Sequence, residues 1–235
     1  MKILTIIFLS LFSITAIYCQ TADTFFKQGN EKFKSKDYKG AIVEYNKLIK
    51  NYPNYPGPYH NIGTSKLYTT DYEGAIADFT KAIQINPIDV SSYFGRALAK
   101  SKIKDYEGAI ADYNKVIEIN PNYDDAYFNR AFSKQKQKRY KEAIVDYNKA
   151  IEISPNDTLA YFNRAQAKHR IEDNKGAIAD YSKVIEIDPN NHNAYYYKGY
   201  SRLYIGQYSS GCLDLSKALE LGNEKASAMI NKYCN

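Results

Sequence analysis

Between residues 104 and 121 the polar and apolar positions follow a helical period. Lys104 and Asp105 form a polar break. Ala109, Ile110, Tyr113, Val116 and Ile117 then fall at i, i+1, i+4, i+7 and i+8, and Pro121 closes the run. That spacing lays the apolar side chains along one stripe of a 3.6-residue helix. The proline stops it, because it lacks an N–H and its ring clashes with the preceding turn. The pattern recurs along the chain. Pro53, Pro87, Pro121, Pro155 and Pro189 stand 34 residues apart, which sets frames 22–55, 56–89, 90–123, 124–157, 158–191 and 192–225. Each frame predicts two helices split by a polar turn. One such hairpin cannot bury its own apolar face, so neighbours must stack to bury it.

The frames agree column by column. The eighth position is small (Gly29, Gly63, Ala97, Ala131, Ala165, Gly199), and so is the twentieth (Ala41, Ala75, Ala109, Ala143, Ala177, Gly211). The fourth is aromatic (Phe25, Tyr59, Tyr93, Tyr127, Tyr161, Tyr195). The twenty-fourth is aromatic until the last frame (Tyr45, Phe79, Tyr113, Tyr147, Tyr181, then Leu215). Helices approach closely only where side chains are small, so large rings beside small contacts predict an interlocked core. Asp78, Asp112, Asp146, Asp180 and Asp214 form a further column, with Glu44 in the first frame. A metal site needs convergent ligands rather than a line spaced one repeat apart. These carboxylates therefore read as structural ion pairs, such as Asp146 with Arg130. The Lys column (Lys47, Lys81, Lys115, Lys149, Lys183, Lys217) reads as a solvated face.

The aromatic, small and proline columns resemble those of the tetratricopeptide repeat family over residues 22–225. The resemblance implies an all-α, right-handed superhelical solenoid of about six helical hairpins, plus a capping helix over 226–235. It departs from the family in three ways. The usual Trp near the start of the first helix is Tyr or Phe. The Leu three residues on becomes Arg96, Arg130, Arg164 or Lys198. The last frame ends on Gly222 and Asn223 instead of a proline.

Composition adds an export reading. Lys2 is the only charge among the first 19 residues, and Ile3 to Ile17 is an apolar run with Ser and Thr. A charged start and a short greasy core form a signal segment, too short for a membrane span of about 20 residues. Cleavage between Cys19 and Gln20 is preferred. Lipidation of Cys19 comes second, since Ala16-Ile17-Tyr18-Cys19 resembles a lipoprotein signal in which Tyr18 is too large. An uncut anchor comes third. Export to the periplasm or medium leaves Cys212 and Cys234, an even pair in an oxidising compartment. Each lies 11 residues from Asn223. In an antiparallel hairpin turning there they stand level, about 16 Å from the turn at ~1.5 Å per residue. A disulfide between them would pin the capping helix.

The net charge of +6 comes from 32 Lys and Arg against 26 Asp and Glu, mixed along the chain, which is a solvated helical surface and not a nucleic-acid patch. His60, His169 and His192 share no motif, and no zinc spacing, phosphate-binding loop, nucleophile elbow or HExxH occurs. No enzyme, cofactor or metal is expected. In the family, the first helix of each hairpin lines the concave groove. The residues expected there are Phe94, Leu98, Lys102, Phe128, Asn129, Phe132, Lys136, Phe162, Asn163, Arg170, Tyr196 and Tyr200. Phe94, Phe128, Phe132 and Phe162 would anchor a protein or peptide partner, and Asn129 and Asn163 would hold its backbone. Some family members grip a C-terminal carboxylate with a Lys and Asn clamp. Asn30 and Asn61 match it, but Phe26, Ser91 and Gly95 stand where its cations belong. The expected function is a non-catalytic envelope scaffold or adaptor. If Cys19 carries lipid, it becomes a membrane-anchored accessory subunit of an envelope assembly complex. Nucleic-acid binding through rings and cations is the reading of another class, and export argues against it.

Overall fold

The computed structural model describes residues 23–234; the signal segment expected from the sequence, with Cys19, lies outside them. Helix α1 spans 23–34. It is followed by α2 (Tyr38–Asn51), α3 (Pro56–Tyr68), α4 (Tyr72–Ile85), α5 (Val90–Lys102), α6 (Tyr106–Ile119) and α7 (Asp124–Lys136). Then come α8 (Tyr140–Ile153), α9 (Thr158–Arg170), α10 (Asn174–Ile187), α11 (His192–Tyr204), α12 (Tyr208–Glu220) and α13 (Lys225–Tyr233). No strand occurs among the described residues. The chain divides into two compact units, one ending at Lys115 and one starting at Val116. In the first, α2, α3, α4 and α5 pack in chain order and α3 also touches α5. In the second, α7 to α13 do the same, with α7 also on α9 and α11 on α13. This is an all-α helical-repeat solenoid with a C-terminal helix.

Two local devices set the hairpin geometry. Inside each frame the first helix ends on a residue in the left-handed region: Lys36, Thr70, Lys104, Lys138, Glu172 and, last, Gly206. At the first of these turns the Lys36 N–H donates to the Phe33 carbonyl and the Asp37 N–H to the Lys32 carbonyl, both at 2.9 Å. Orphan carbonyls of α1 are thereby satisfied and the chain reverses. The next residue caps the second helix. Asp37, Asp71, Asp105 and Asp173 accept from the N–H of Gly40, Gly74, Gly108 and Gly176 at 2.9–3.0 Å. The fourth frame has Arg139 at the cap, ion-paired to Glu142 at 2.7 Å. Between frames the prolines sit just past the helix ends. The Asn86 carbonyl accepts from the Asp89 N–H at 3.2 Å, so Pro87 occupies the second position of a turn, where its fixed φ fits.

The core follows the columns. Tyr45, Phe79, Tyr113, Tyr147, Tyr181 and Leu215 are at most 1% exposed, and the alanines of the twentieth column are fully buried. In the last frame a Cβ on Gly199 would come within 2.8 Å of the Gly211 carbonyl, so α11 and α12 meet backbone to backbone. The aspartate column is a row of ion clusters. Arg96 and Lys100 hold Asp112, Arg130 and Lys134 hold Asp146, and Arg164 and Lys168 hold Asp180. Lys198 and Arg202 hold Asp214. Each arginine at the seventh position also lies 5.3–5.5 Å from the ring of its fourth-position tyrosine. The pairing of Arg130 with Asp146 read from the sequence is present, with Arg130 Nη2 2.6 Å from Oδ1.

At the end of the chain Gly222, at φ +96°, replaces the proline turn. Helix α13 then covers the last hairpin, with Met229 and Ile230 against Leu203, Leu215 and Ala218. It starts one residue before, and ends two residues before, the 226–235 read from sequence. The Sγ atoms of Cys212 and Cys234 lie 2.03 Å apart.

Candidate functional site

The residues expected to line the groove fall in both units. Phe94, Leu98 and Lys102 sit on α5 of the first; Phe94 is half-buried and meets the buried Tyr113 ring edge-on at 5.7 Å. The other nine sit on α7, α9 and α11 of the second. Phe128 and Phe162 meet Tyr147 and Tyr181 edge-on at 5.7 and 5.4 Å. These rings therefore belong half to the core and half to the surface. Asn129 and Asn163 spend their Nδ2 groups on their own helices, donating to the Asp125 and Leu159 carbonyls at 2.7 and 2.8 Å. Each leaves its amide oxygen as the acceptor for anything bound outside.

Helix periodicity puts Asp125, Phe128, Phe132 and Lys136 on one face of α7. That face runs from an acid, over two rings, to a cation. Lys136 Nζ lies 4.7 Å above the Phe132 ring centre. At the cationic end is a hollow of about 440 Å³. Its walls carry Gln135, Lys136 and Lys138 from the end of α7 and the turn after it, Gln166, His169 and Arg170 from α9, and Tyr197 and Tyr200 from α11. Tyr140 and Tyr181 complete its lining. Lys136, Arg170 and Tyr200 were among the residues expected from sequence; the rest of the lining was not. Tyr197 was missed because its column holds asparagine in the two frames before it. His169 and Gln135 come from the twelfth position, where no column stands out.

The hollow has a defined polarity. Among the described residues Lys136, Lys138 and Arg170 have no carboxylate partner, and no Asp or Glu lines the hollow. His169 is held in place. Asn174 donates through Nδ2 to the Glu172 carbonyl, so its oxygen accepts from His169 Nδ1 at 2.6 Å. The imidazole stands edge-on to Tyr200 and Tyr204 at 5.3 and 5.6 Å. Burial pushes the Tyr181 and Tyr196 hydroxyls up, so both stay neutral hydrogen-bonding groups at any physiological pH. At the opposite ends of α7 and α9 the charge reverses. A second hollow there, about 540 Å³, is lined by Asp124, Asp125 and Asp157 beside Phe128 and Leu159. Burial, with Asp124 and Asp157 nearby, raises the Asp125 carboxyl.

One set of residues elsewhere resembles catalytic machinery. His60 Nδ1 lies 3.0 Å from Ser92 Oγ, which donates to Asp89. The order is wrong for an activated nucleophile, because the serine proton points to the aspartate and Ser92 is fully buried. Among the described residues no group of three or more His, Cys, Asp or Glu is placed to hold a metal. No described helix is long and apolar enough to cross a membrane.

The comparisons agree with this architecture. Among curated proteins no sequence matches the chain. Among solved structures, a crystal structure of MamA superposes with TM-score 0.69 at 23% identity, covering 74% of this chain and 95% of that one. YrrB, described as a TPR protein with an unusual peptide-binding site, gives 0.72 at 21%, covering 80% and 97%. The C-terminal part of a TPR repeat-containing protein from Cytophaga hutchinsonii gives 0.75 at 19%, covering 83% and 78%. At these identities the likeness is one of fold. Family matches described as tetratricopeptide or TPR repeats fall on 20–55, 57–89, 102–138, 124–157, 159–191 and 181–211. Four of them fall on frames set by the prolines and the small and aromatic columns, 102–138 and 181–211 each straddle two frames, and the chain belongs to the tetratricopeptide repeat family.

Proposed function

We propose that this protein is an exported, non-catalytic scaffold of the cell envelope that holds a segment of a partner protein against α7, α9 and α11. Proteins of this family are generally scaffolds that bind protein or peptide partners, and YrrB carries a peptide-binding site by its description. The observation that carries the reading is the α7–α9–α11 hollow: half-buried rings, side-chain amides and uncompensated cations converge on one concavity. Rings supply contact area at low entropic cost, and amides bond a partner's backbone. The envelope setting rests on the signal-like residues 1–19 and on the paired cysteines. In that setting Cys212 and Cys234 form a disulfide that ties α13 to α12. Such a bridge contributes about 3 kcal/mol by restricting the unfolded chain. The mass of the non-reduced protein should show no free thiol beyond Cys19.

Site-specific photo-crosslinking in intact cells tests the reading. A photoreactive side chain at Tyr200 should trap a protein partner in the envelope fraction, and one at exposed Val145 should not. Crosslinks at Val145 alone would move the binding face to the other side of the hairpins. A protein found wholly inside the cell, with residues 1–19 retained, would overturn the envelope assignment.

A further inference from the structure

We infer that the segment taken by the α7–α9–α11 hollow is anionic: a short stretch of a partner protein rich in Asp or Glu, seated with its carboxylates among Lys136, Lys138 and Arg170. This rests on the partner-binding reading above and adds the chemistry of the partner. The first ground is how the cations of the second unit are used. Arg130, Lys134, Arg164, Lys168, Lys198 and Arg202 are all engaged by Asp146, Asp180 and Asp214. Lys149, Lys183 and Lys217 face Glu152, Glu186 and Glu220 one helical turn on. The three cations at the hollow have no such partner, and they converge where the wall carries no acid. A ligand that supplies carboxylates would give these cations the partner that those facing the aspartate column and those of the Lys column in this unit already have.

The second ground is the company the cations keep. Tyr181, Tyr197 and Tyr200 line the same hollow. Their rings offer apolar contact area beside the three exposed cations, so a segment that alternates carboxylates with apolar side chains meets both. The third ground bounds the ligand's length. Asp125 and Lys136 share a face of α7, 11 residues apart, or about 16 Å at ~1.5 Å per residue. A long polyanion laid along α7 and α9 would run from the cations into Asp124, Asp125 and Asp157. A short acidic stretch fits and a nucleic-acid strand does not. The cations come from the C-terminal ends of α7 and α9 and the turn after α7. They are therefore not the Lys and Asn clamp of other family members, whose cation positions hold Phe26, Ser91 and Gly95 in this chain.

The test uses a labelled peptide of alternating Glu and Leu, its Gln-for-Glu analogue, and a single-stranded oligonucleotide, each titrated against the full-length mature protein. The Glu peptide should bind, and more weakly as salt is raised. The Gln analogue should bind at least roughly tenfold more weakly. Lys136→Glu combined with Arg170→Glu should cost about tenfold or more for the Glu peptide while helicity is unchanged. Lys217→Glu, on α12, should leave it intact. Should the reversal variant fail to fold, Lys136→Gln with Arg170→Gln replaces it and should give a smaller loss of the same sign. Equal binding of the Glu and Gln peptides, or indifference to the substitutions, overturns the anionic assignment and leaves peptide binding standing. Tighter binding of the oligonucleotide at the same residues also overturns it. If no peptide binds and crosslinking at Tyr200 traps nothing, the partner-binding reading falls as well.

Discussion

Asp78 in the first unit and Asp146 in the second occupy the same column, yet they are held differently. Asp146 receives Arg130 in a two-pronged contact at 2.6 and 2.9 Å, with Lys134 at 2.7 Å. Asp78 has Lys66 alone, at 2.6 Å, because its frame places Ile62 where later frames place arginine. Ile62 is buried against Ala41 and Tyr45. Burial accordingly dominates at Asp78 and pushes its carboxyl up. One backbone unit thus serves two energetic designs, an apolar seam with a lightly held acid and an ion cluster with a cation on either side. The repeat fixes where a charge stands, and the residue at the seventh position decides how much depends on it.

The largest expected effect breaks the stronger of the two. Asp146→Asn leaves Arg130 and Lys134 mostly buried with no counter-charge, which costs about 3 kcal/mol. The corresponding Asp78→Asn should cost about 1 kcal/mol or less, since it frees one half-exposed lysine and removes an acid that burial already disfavours. Urea unfolding followed by circular dichroism compares them. Equal losses would mean that the arginine clamp adds nothing. The sign with pH is also fixed. The folded-state pKa of Asp78 is raised, so its site destabilises as pH rises through the window above the ordinary carboxylate value.

A second difference lies at the fifth position, where the Asp78 frame has His60 and the Asp146 frame has Phe128, a phenylalanine like Phe26 and Phe94 in the frames on either side of His60. Burial lowers the His60 pKa, with Asp89 opposing. The unfolded chain then binds a proton before the folded one does. Stability is complete above pH ~6.5 and is lost as pH falls through the lowered folded value. His60→Phe should flatten that loss between neutral pH and pH ~5. Phenylalanine repeats the neighbouring frames, His60 already stands against Phe79 at 5.5 Å, and Ser92 keeps Asp89 as its acceptor. Unfolding curves at the two pH values check it, and an unchanged pH difference would place the acid sensitivity elsewhere.

Much of this was legible in the sequence because it recurs. The period, the paired helices and the pairing of Arg130 with Asp146 each appear in several frames, so one residue's reading is checked by its equivalents. The hollow was only partly legible because it is made where columns vary: Tyr197 against Asn129 and Asn163, His169 against Gln135. The roles of Asn129 and Asn163 were hidden for a different reason. Whether an amide reaches outward or back to the carbonyl four residues earlier is a rotamer choice, and residue type is silent on it. Phe128 and Phe162 are divided between core and surface, which a two-valued apolar pattern cannot express.

The smallest effect concerns the turns, which sequence also concealed. Only the last frame puts glycine, Gly206 at φ +78°, at the left-handed position that ends the first helix. The others use Lys, Thr or Glu, which carry no turn signal. Thr70 is the most strained of them at φ +62°, since a β-branched side chain crowds the backbone there. Its hydroxyl also has no role that glycine would forfeit at the turn, whose hydrogen bonds come from the Thr70 and Asp71 N–H groups. Thr70→Gly relieves about 1 kcal/mol of strain and returns part of it, because glycine also loosens the unfolded chain. The net gain should be a few tenths of a kcal/mol. Lys138→Gly, at φ +63° in the second unit, should gain less, lysine being unbranched at Cβ. It would also remove a cation from the hollow, so it should weaken the acidic peptide while leaving the protein no less stable. A Thr70→Gly protein that melts lower than wild type would show that the turn is held by side-chain contacts and not by its backbone.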